Sequence, residues 1–356
     1  MYPKMTINLT YFKDNLRYLN LMLKRKGIKF VPVSKVFLAD QKLIDIINHQ
    51  PDIEIIADSR IKNLRAMKSK KKKMLLRIPM ISEVKDVVMY TNISLNSELE
   101  TIEALNREAA LIHKIHEIIV MYDIGDLREG IYYREDDTQW IEKIKRMSHI
   151  RMIGIGTNLT CYGAVIPTQK TYQKLYMIKT RVEAILGYPL EIISGGNSSS
   201  LPLVMQDKLP KYINQLRIGE ALVLGRETAY GEDIIGMHQD VFTLDAEIIE
   251  LKIKPSKPEG KIGVDAFGHR VRFNDRGMVK RAILALGKQD IGLDQLKAPA
   301  GVKVLGSSSD HLIVELEQDH YQVGDKIHFG LTYGGILSLM TSPYVEKNYV
   351  VSTNMG

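Results

Sequence analysis

One lysine, Lys35, closes the short apolar run Phe30-Val31-Pro32-Val33-Ser34. Burial penalises the charged form of an amine, so a lysine at the end of a buried strand tends toward a neutral nucleophile. That chemistry suits a Schiff base with an aldehyde cofactor. An ordinary solvated strand end has the same residue types, so the reading depends on what accompanies Lys35. Gly195-Gly196-Asn197-Ser198 offers backbone N–H groups and hydroxyls, and Gly219 in Arg217-Ile218-Gly219-Glu220 admits close backbone approach. Together the two turns read as a cradle for a phosphate. Further polar groups collect in Asp58-Ser59-Arg60, at Arg77, between Asp123 and Gly130, and in Thr157-Asn158. His113 and His116 have no third ligand nearby, and no metal site is expected. Cys161 reads as an inert buried thiol.

These residues need a scaffold that gathers them. Eight strand-like runs are predicted at Lys29–Lys35, Glu54–Arg60, Lys73–Pro79, Asn92–Ser97, Glu117–Asp126, Ile150–Asn158, Leu190–Gly196 and Gln215–Gly225. Amphipathic segments such as Gln41–Asn48, Ser97–His113 and Thr168–Leu186 fall between them. Eight βα units with continuous apolar strands predict an α/β fold, a (β/α)8 TIM-type barrel. In such a barrel the chemistry gathers at the C-terminal strand ends, where the polar residues lie, and the loops after strands seven and eight often hold a phosphate. Beyond about residue 230, runs such as Phe242–Ile253, Lys280–Ala285, Lys303–Leu305, His311–Glu317 and Lys326–Phe329 predict a mainly β domain. The expected organisation is therefore a barrel over 1–230 and a β domain over 231–356, with the first strand, about 1–10, free to pair with the β domain.

Composition narrows the function classes. At 356 residues, 45% hydrophobic and 26% charged, the chain reads as a soluble globular protein large enough for two domains. No apolar run reaches membrane-spanning length. One cysteine excludes an internal disulfide framework, and a reducing cytoplasm is expected. The net charge of +7 is densest at Lys68, Lys70, Lys71, Lys72 and Lys73, but no aromatic residues interleave there. A solvated helix end is the favoured reading, and no nucleic-acid partner is expected.

The motifs, taken in order, resemble the alanine racemase family of barrel-type pyridoxal phosphate enzymes, closest to its ornithine racemase-like branch. Val31-Pro32-Val33-Ser34-Lys35 matches the cofactor-lysine motif, and Asp123, Gly125, Arg128 and Gly130 match Asp-x-Gly-x-x-Arg-x-Gly. Asn197-Ser198, Arg217-Ile218-Gly219 and Tyr333 match the remaining three. The resemblance implies that Lys35 binds pyridoxal phosphate and that Arg128 lies near its phenolic oxygen and the substrate. It implies Arg217 at the ring nitrogen, with Asn158, Asn197, Ser198, Gly219, Glu220 and Tyr333 completing the cofactor site.

The sequence also departs from the family. Lys288, in Leu286-Gly287-Lys288-Gln289-Asp290, stands where the second catalytic tyrosine is usual. Ala39 replaces a tyrosine, and Asn158 replaces a histidine. Lys288, or else His311 or a group from elsewhere, is then expected to be the second base, and Asp310 is expected to bind a side-chain ammonium of ornithine or another basic amino acid. Asp265-Ala266-Phe267-Gly268-His269-Arg270 reads as a polar β-domain turn. The implied protein is a homodimeric amino-acid racemase whose active sites are shared between subunits. The rivals are an alanine or broad-specificity racemase, a decarboxylase on the same scaffold, and a non-catalytic pyridoxal phosphate carrier.

Overall fold

The structure is a computed structural model that describes every residue except Asp265, Ala266, His269, Val271, Asp319 and 353–356. The predicted turn around Asp265, Ala266 and His269 therefore lies outside the described residues. The chain opens with β1 (Lys4–Asn8) and runs into a helix, Leu9–Lys24. Next come β2 (Lys29–Pro32), β3 (Ile55–Asp58), β4 (Lys72–Leu75), β5 (Ile93–Asn96), β6 (His116–Asp123) and the two-residue β7 (Ile131–Tyr132). β8 (Ile150–Gly156), β9 (Ile192–Ser194) and β10 (Gln215–Ile218) follow. Contacts divide the chain into two compact units, Phe12–Gln239 and Met1–Tyr11 with Asp240–Gly356.

In the first unit eight parallel strands pair in the order β2-β10-β9-β8-β6-β5-β4-β3, and β7 adds to β6. A parallel bridge between Val33 and Ala57 joins β2 to β3 and closes the ring. The interior is filled by Val31, Val33, Ile55, Ala57, Met74, Ile93, Leu95, Ile119, Met121, Ile153 and Ile192. Each buried aliphatic side chain of this kind contributes about 1.5–3 kcal/mol, and β-branched residues suit the pleat. Gly154 is required by packing, since a Cβ there would sit 2.2 Å from the Ile192 carbonyl oxygen of the neighbouring strand. The TIM-type barrel expected from the eight runs is thus present.

The strands are shorter than their apolar runs, because the polar residues at each C-terminal end turn away. The clearest correction is Gln215–Gly225, expected as one strand. It is strand only to Ile218 and is helical over Glu220–Leu224. Gly219 breaks the extended run, and Glu220 places an acid in the first helical turn.

The second unit contains β11 (Phe242–Pro255), β12 (Met278–Leu284), β13 (Leu296–Lys297), β14 (Val302–Ser307), β15 (Leu312–Leu316), β16 (Lys326–Leu331) and β17 (Glu346–Val350). They form an antiparallel sheet in the order β13-β16-β11-β12-β15-β14. β1 joins it, antiparallel to β11 and parallel to β17. A helix, Tyr333–Thr341, interrupts the β pattern. Its sequence is apolar nearly all round, which hides helical periodicity. Thr332 caps it, accepting from the Gly335 N–H at 3.3 Å.

The lysine-rich stretch is engaged within the fold. Lys71 Nζ donates to the carbonyls of Gln50 and Ile53, and Lys73 Nζ to those of Leu64 and Met67. Partial burial lowers the pKa of both amines. Lys72 pairs with Glu117 at 2.9 Å. Among the described residues no helix is long and apolar enough to cross a membrane.

Candidate active site

Lys35 stands just beyond β2, at the start of a 3-10 turn over Lys35–Phe37. The residue before it is held twice by β3: Ser34 N–H donates to Ala57 O at 2.8 Å, and Ser34 Oγ to Asp58 Oδ2 at 2.6 Å. The Lys35 side chain is exposed, yet protein surrounds its amine closely enough to lower its pKa. The two observations agree for a side chain that water reaches while protein packs around its amine. Desolvation is the larger cause, and the Arg128 guanidinium adds to it; Cys161, Asp58 and Glu129 act in the opposite direction.

The loop after β6 is folded by its own acids and glycines. Asp123 Oδ1 accepts from the N–H groups of Gly125 and Leu127 at 2.8 and 3.2 Å. Gly130, at φ +125°, carries the chain back over the strand, where a Cβ would lie 2.5 Å from Asp123 N. β7 then pairs beside β6. This turn projects Arg128, whose Nε and Nη2 bond the Glu129 carboxylate and whose Nη1 lies 2.6 Å from Cys161 Sγ. Buried Asp126 ties in the loop after β8, accepting from the N–H groups of Cys161, Tyr162 and Val165 at 2.9–3.1 Å. Cys161 is exposed at this rim, not buried as its sequence context implied.

A continuous polar chain runs on from Glu129. Asn158 Nδ2 donates to Glu129 Oε1 at 3.3 Å, and Asn197 Nδ2 donates to Asn158 Oδ1 at 2.8 Å. Asn197 Oδ1 accepts from Ser199 N–H at 2.8 Å, which starts the turn Ser198–Ser200. Ser198 Oγ accepts from Ala221 N–H at 3.2 Å, joining the turn after β9 to the helix that begins at Glu220, just after Gly219. Fully buried Tyr172 fixes the same turn from below, donating to Gly195 O at 2.5 Å and lying 2.8 Å from Ser200 Oγ. Burial pushes the Tyr172 phenol up, so it remains a hydrogen donor. Arg217 is 4% exposed, with Nη1 on Ser194 Oγ and Nη2 on Thr157 O at 2.8 Å. Burial lowers its pKa to about 10, which leaves it protonated at neutral pH.

The structure thus brings Lys35, Arg128, Asn158, Asn197, Ser198, Arg217, Gly219 and Glu220 to one end of one barrel. The other candidates belong to the second unit. Lys288 and His311 lie on adjoining turns, since Lys288 N–H donates to Ser308 O at 3.0 Å and His311 N–H to Ser308 Oγ at 3.2 Å. The Lys288 ammonium lies 3.4 Å from the centroid of the Phe267 ring. Asp310 Oδ1 accepts from His311 Nδ1 at 2.9 Å and from Ser309 Oγ at 3.1 Å, and these bonds hold its pKa down. Tyr333 is the first residue of the helix Tyr333–Thr341.

Sequence reasoning placed Asp58, Asp126 and Glu129 among the polar strand ends without a role, and it missed the Ser34–Asp58 pairing and Tyr172. Only Glu129 had a local signal, as a carboxylate beside the arginine of its motif. His116 is structural: it is fully buried, lies 2.9 Å from Ser94 Oγ, and burial lowers its pKa to about 3. Among the described residues no group of three or more His, Cys, Asp or Glu is arranged to hold a metal.

Residues 7–227 match the family model described as the alanine racemase N-terminal domain. The chain is 47% identical over 351 residues to an ornithine racemase of Acetoanaerobium sticklandii, covering 98% of this chain and 99% of that protein. It is 40% identical over 354 residues to a lysine racemase of Thermotoga maritima, covering 98% and 99%. Among solved structures, an alanine racemase from Bartonella henselae with covalently bound pyridoxal phosphate superposes with a TM-score of 0.70 at 17% identity. That match covers 98% of this chain and 99% of the other.

Proposed function

The chain belongs to the alanine racemase family, and we propose that it interconverts the enantiomers of a basic amino acid, ornithine before lysine, with pyridoxal phosphate as cofactor. One observation carries this reading: the likeness to an ornithine racemase runs through both units, so it includes the barrel rim and the turns that hold Lys288, Asp310 and His311. The donor set suits the cofactor. Lys35 supplies an amine for an aldehyde, Arg128 and Arg217 supply guanidinium donors, and the turns at Asn197-Ser198 and Gly219 supply backbone and hydroxyl donors for a phosphate. When bound, pyridoxal phosphate would make the substrate Cα proton acidic by delocalising the electron pair it leaves behind.

The protein's own groups then divide the work. Lys35, its basicity reduced by burial and by Arg128, accepts or returns a proton on one face of Cα. Arg217 would hold the ring nitrogen as a donor only, because a guanidinium takes up no further proton. Such a contact would limit how strongly the ring withdraws electrons and would disfavour transamination. Arg128, fixed by Glu129, binds anionic oxygen. Lys288 or His311 serves the opposite face, and Asp310, kept ionised by His311, receives the substrate's side-chain ammonium. These last three act from the β unit of a partner subunit in a head-to-tail homodimer. We place the protein in a reducing cytoplasm on the strength of its single cysteine.

The test is to incubate enantiopure L-ornithine with the protein in deuterated water. A racemase yields D-ornithine carrying deuterium at Cα and keeps the carboxylate. Release of carbon dioxide would favour a decarboxylase, and no exchange with any basic amino acid would overturn the proposal. Lys35→Ala is expected to abolish both racemisation and the borohydride-stable pyridoxyl adduct seen by peptide mass spectrometry.

A further inference from the structure

We propose that Asp58, acting through Ser34, is a positioning residue that sets the orientation and basicity of the Lys35 amine. The inference rests on the reading of Lys35 as the reactive amine. Asp58 and Ser34 are both fully buried. A carboxylate out of water is costly unless hydrogen bonds compensate it. Here Oδ1 accepts from Arg60 N–H at 2.8 Å and Asn63 Nδ2 at 3.1 Å, while Oδ2 accepts from Ser34 Oγ at 2.6 Å.

The two oxygens have separable tasks. Oδ1 closes the turn into the helix Ile61–Ala66, a local role that an asparagine oxygen would fill equally well. Oδ2 reaches across to the neighbouring strand, to the residue immediately before Lys35. With the bond from Ser34 N–H to Ala57 O, β3 grips Ser34 by backbone and side chain together. The turn that carries the amine therefore starts from a doubly anchored residue.

Charge supplies the second half of the argument. The groups that bear on Lys35 include Arg128 and Glu129 from the loop after β6, Cys161 from the loop after β8, and Asp58 from β3. Glu129 and Cys161 are both bonded to the Arg128 guanidinium. Among the described residues Asp58 accepts from no cationic side chain, so its charge is left to oppose the burial and the arginine that make Lys35 less basic. Burial also raises the pKa of Asp58 itself, and the Ser34 bond lowers it. Loss of that bond favours the neutral acid and weakens the counter-charge.

The experiment measures competitive acetylation of Lys35 by trace acetic anhydride as a function of pH, in the full-length chain without added cofactor. Peptide mass spectrometry reads the extent, and far-ultraviolet circular dichroism checks folding. Asp58→Asn is expected to lower the labelling midpoint by about half a pH unit or more. Ser34→Ala should move it the same way by less, and Asn63→Ala, which removes the longer and weaker bond to Oδ1, by less still. A folded Asp58→Asn protein with the wild-type midpoint would make Asp58 a turn cap and overturn the proposal. So would an equal shift in Asn63→Ala. If Asp58→Asn does not fold, Ser34→Ala decides, and an unchanged midpoint there overturns the proposal. Borohydride trapping of pyridoxal phosphate on wild-type Lys35 tests the functional reading by itself, and its failure leaves the midpoint comparison intact.

Discussion

At the scale of single residues, Asp310 offers the sharpest test of substrate choice. Its carboxylate is exposed and ionised, and one oxygen is already turned toward His311 and Ser309. A charge-assisted hydrogen bond to a substrate ammonium is worth about 1.5–3 kcal/mol. Asp310→Ala should therefore cut the ratio of kcat/KM for ornithine over alanine by about tenfold or more. Parallel chiral assays on the two substrates check this. An unchanged ratio would remove Asp310 from substrate recognition. The lysine at 35 was legible because an apolar, β-branched run ended on it. The role of Asp58 was not, because its decisive partner, Ser34, is 24 positions away and only strand pairing brings them together. Asp126 was hidden likewise, its donors lying beyond β8.

At the scale of elements, the loop after β6 depends on one missing methyl group. Gly130→Ala would put Cβ against the backbone of Asp123 and Tyr122 in a left-handed conformation. A destabilisation of about 2 kcal/mol or more is expected, read as a lower urea midpoint. Activity should fall further than stability accounts for, because the same turn projects Arg128. Retention of wild-type stability would show that the loop has another path. The eight strands were readable as apolar runs because parallel strands are buried on both faces. Their C-terminal limits were not, since one run such as Gln215–Gly225 spans a strand, a breaking glycine and a short buried helix without losing its apolar character.

At the scale of the molecule, the candidate bases fall in different units, Lys35 in one and Lys288 and His311 in the other. If sites are shared between subunits, inactive variants should rescue one another. Lys35→Ala and the double variant Lys288→Ala, His311→Ala should each be inactive alone. Mixed under conditions that allow subunit exchange, they should recover about a quarter of wild-type activity, because half of a random mixture is mixed dimers with one intact site each. No recovery, with exchange verified by mass, would place each site within one chain.

β1 has a consequence for how this protein comes into being. It lies between β11 and β17, and among the described strands β17 has no other neighbour. β1 is synthesised before the whole barrel, and both its partners after it, so the sheet is knitted across the longest separation the polypeptide contains. Such distant pairings close late. An excised fragment starting at Asp240 would lack the central thread of its own fabric, and supplying residues 1–11 as a separate peptide would be the way to mend it.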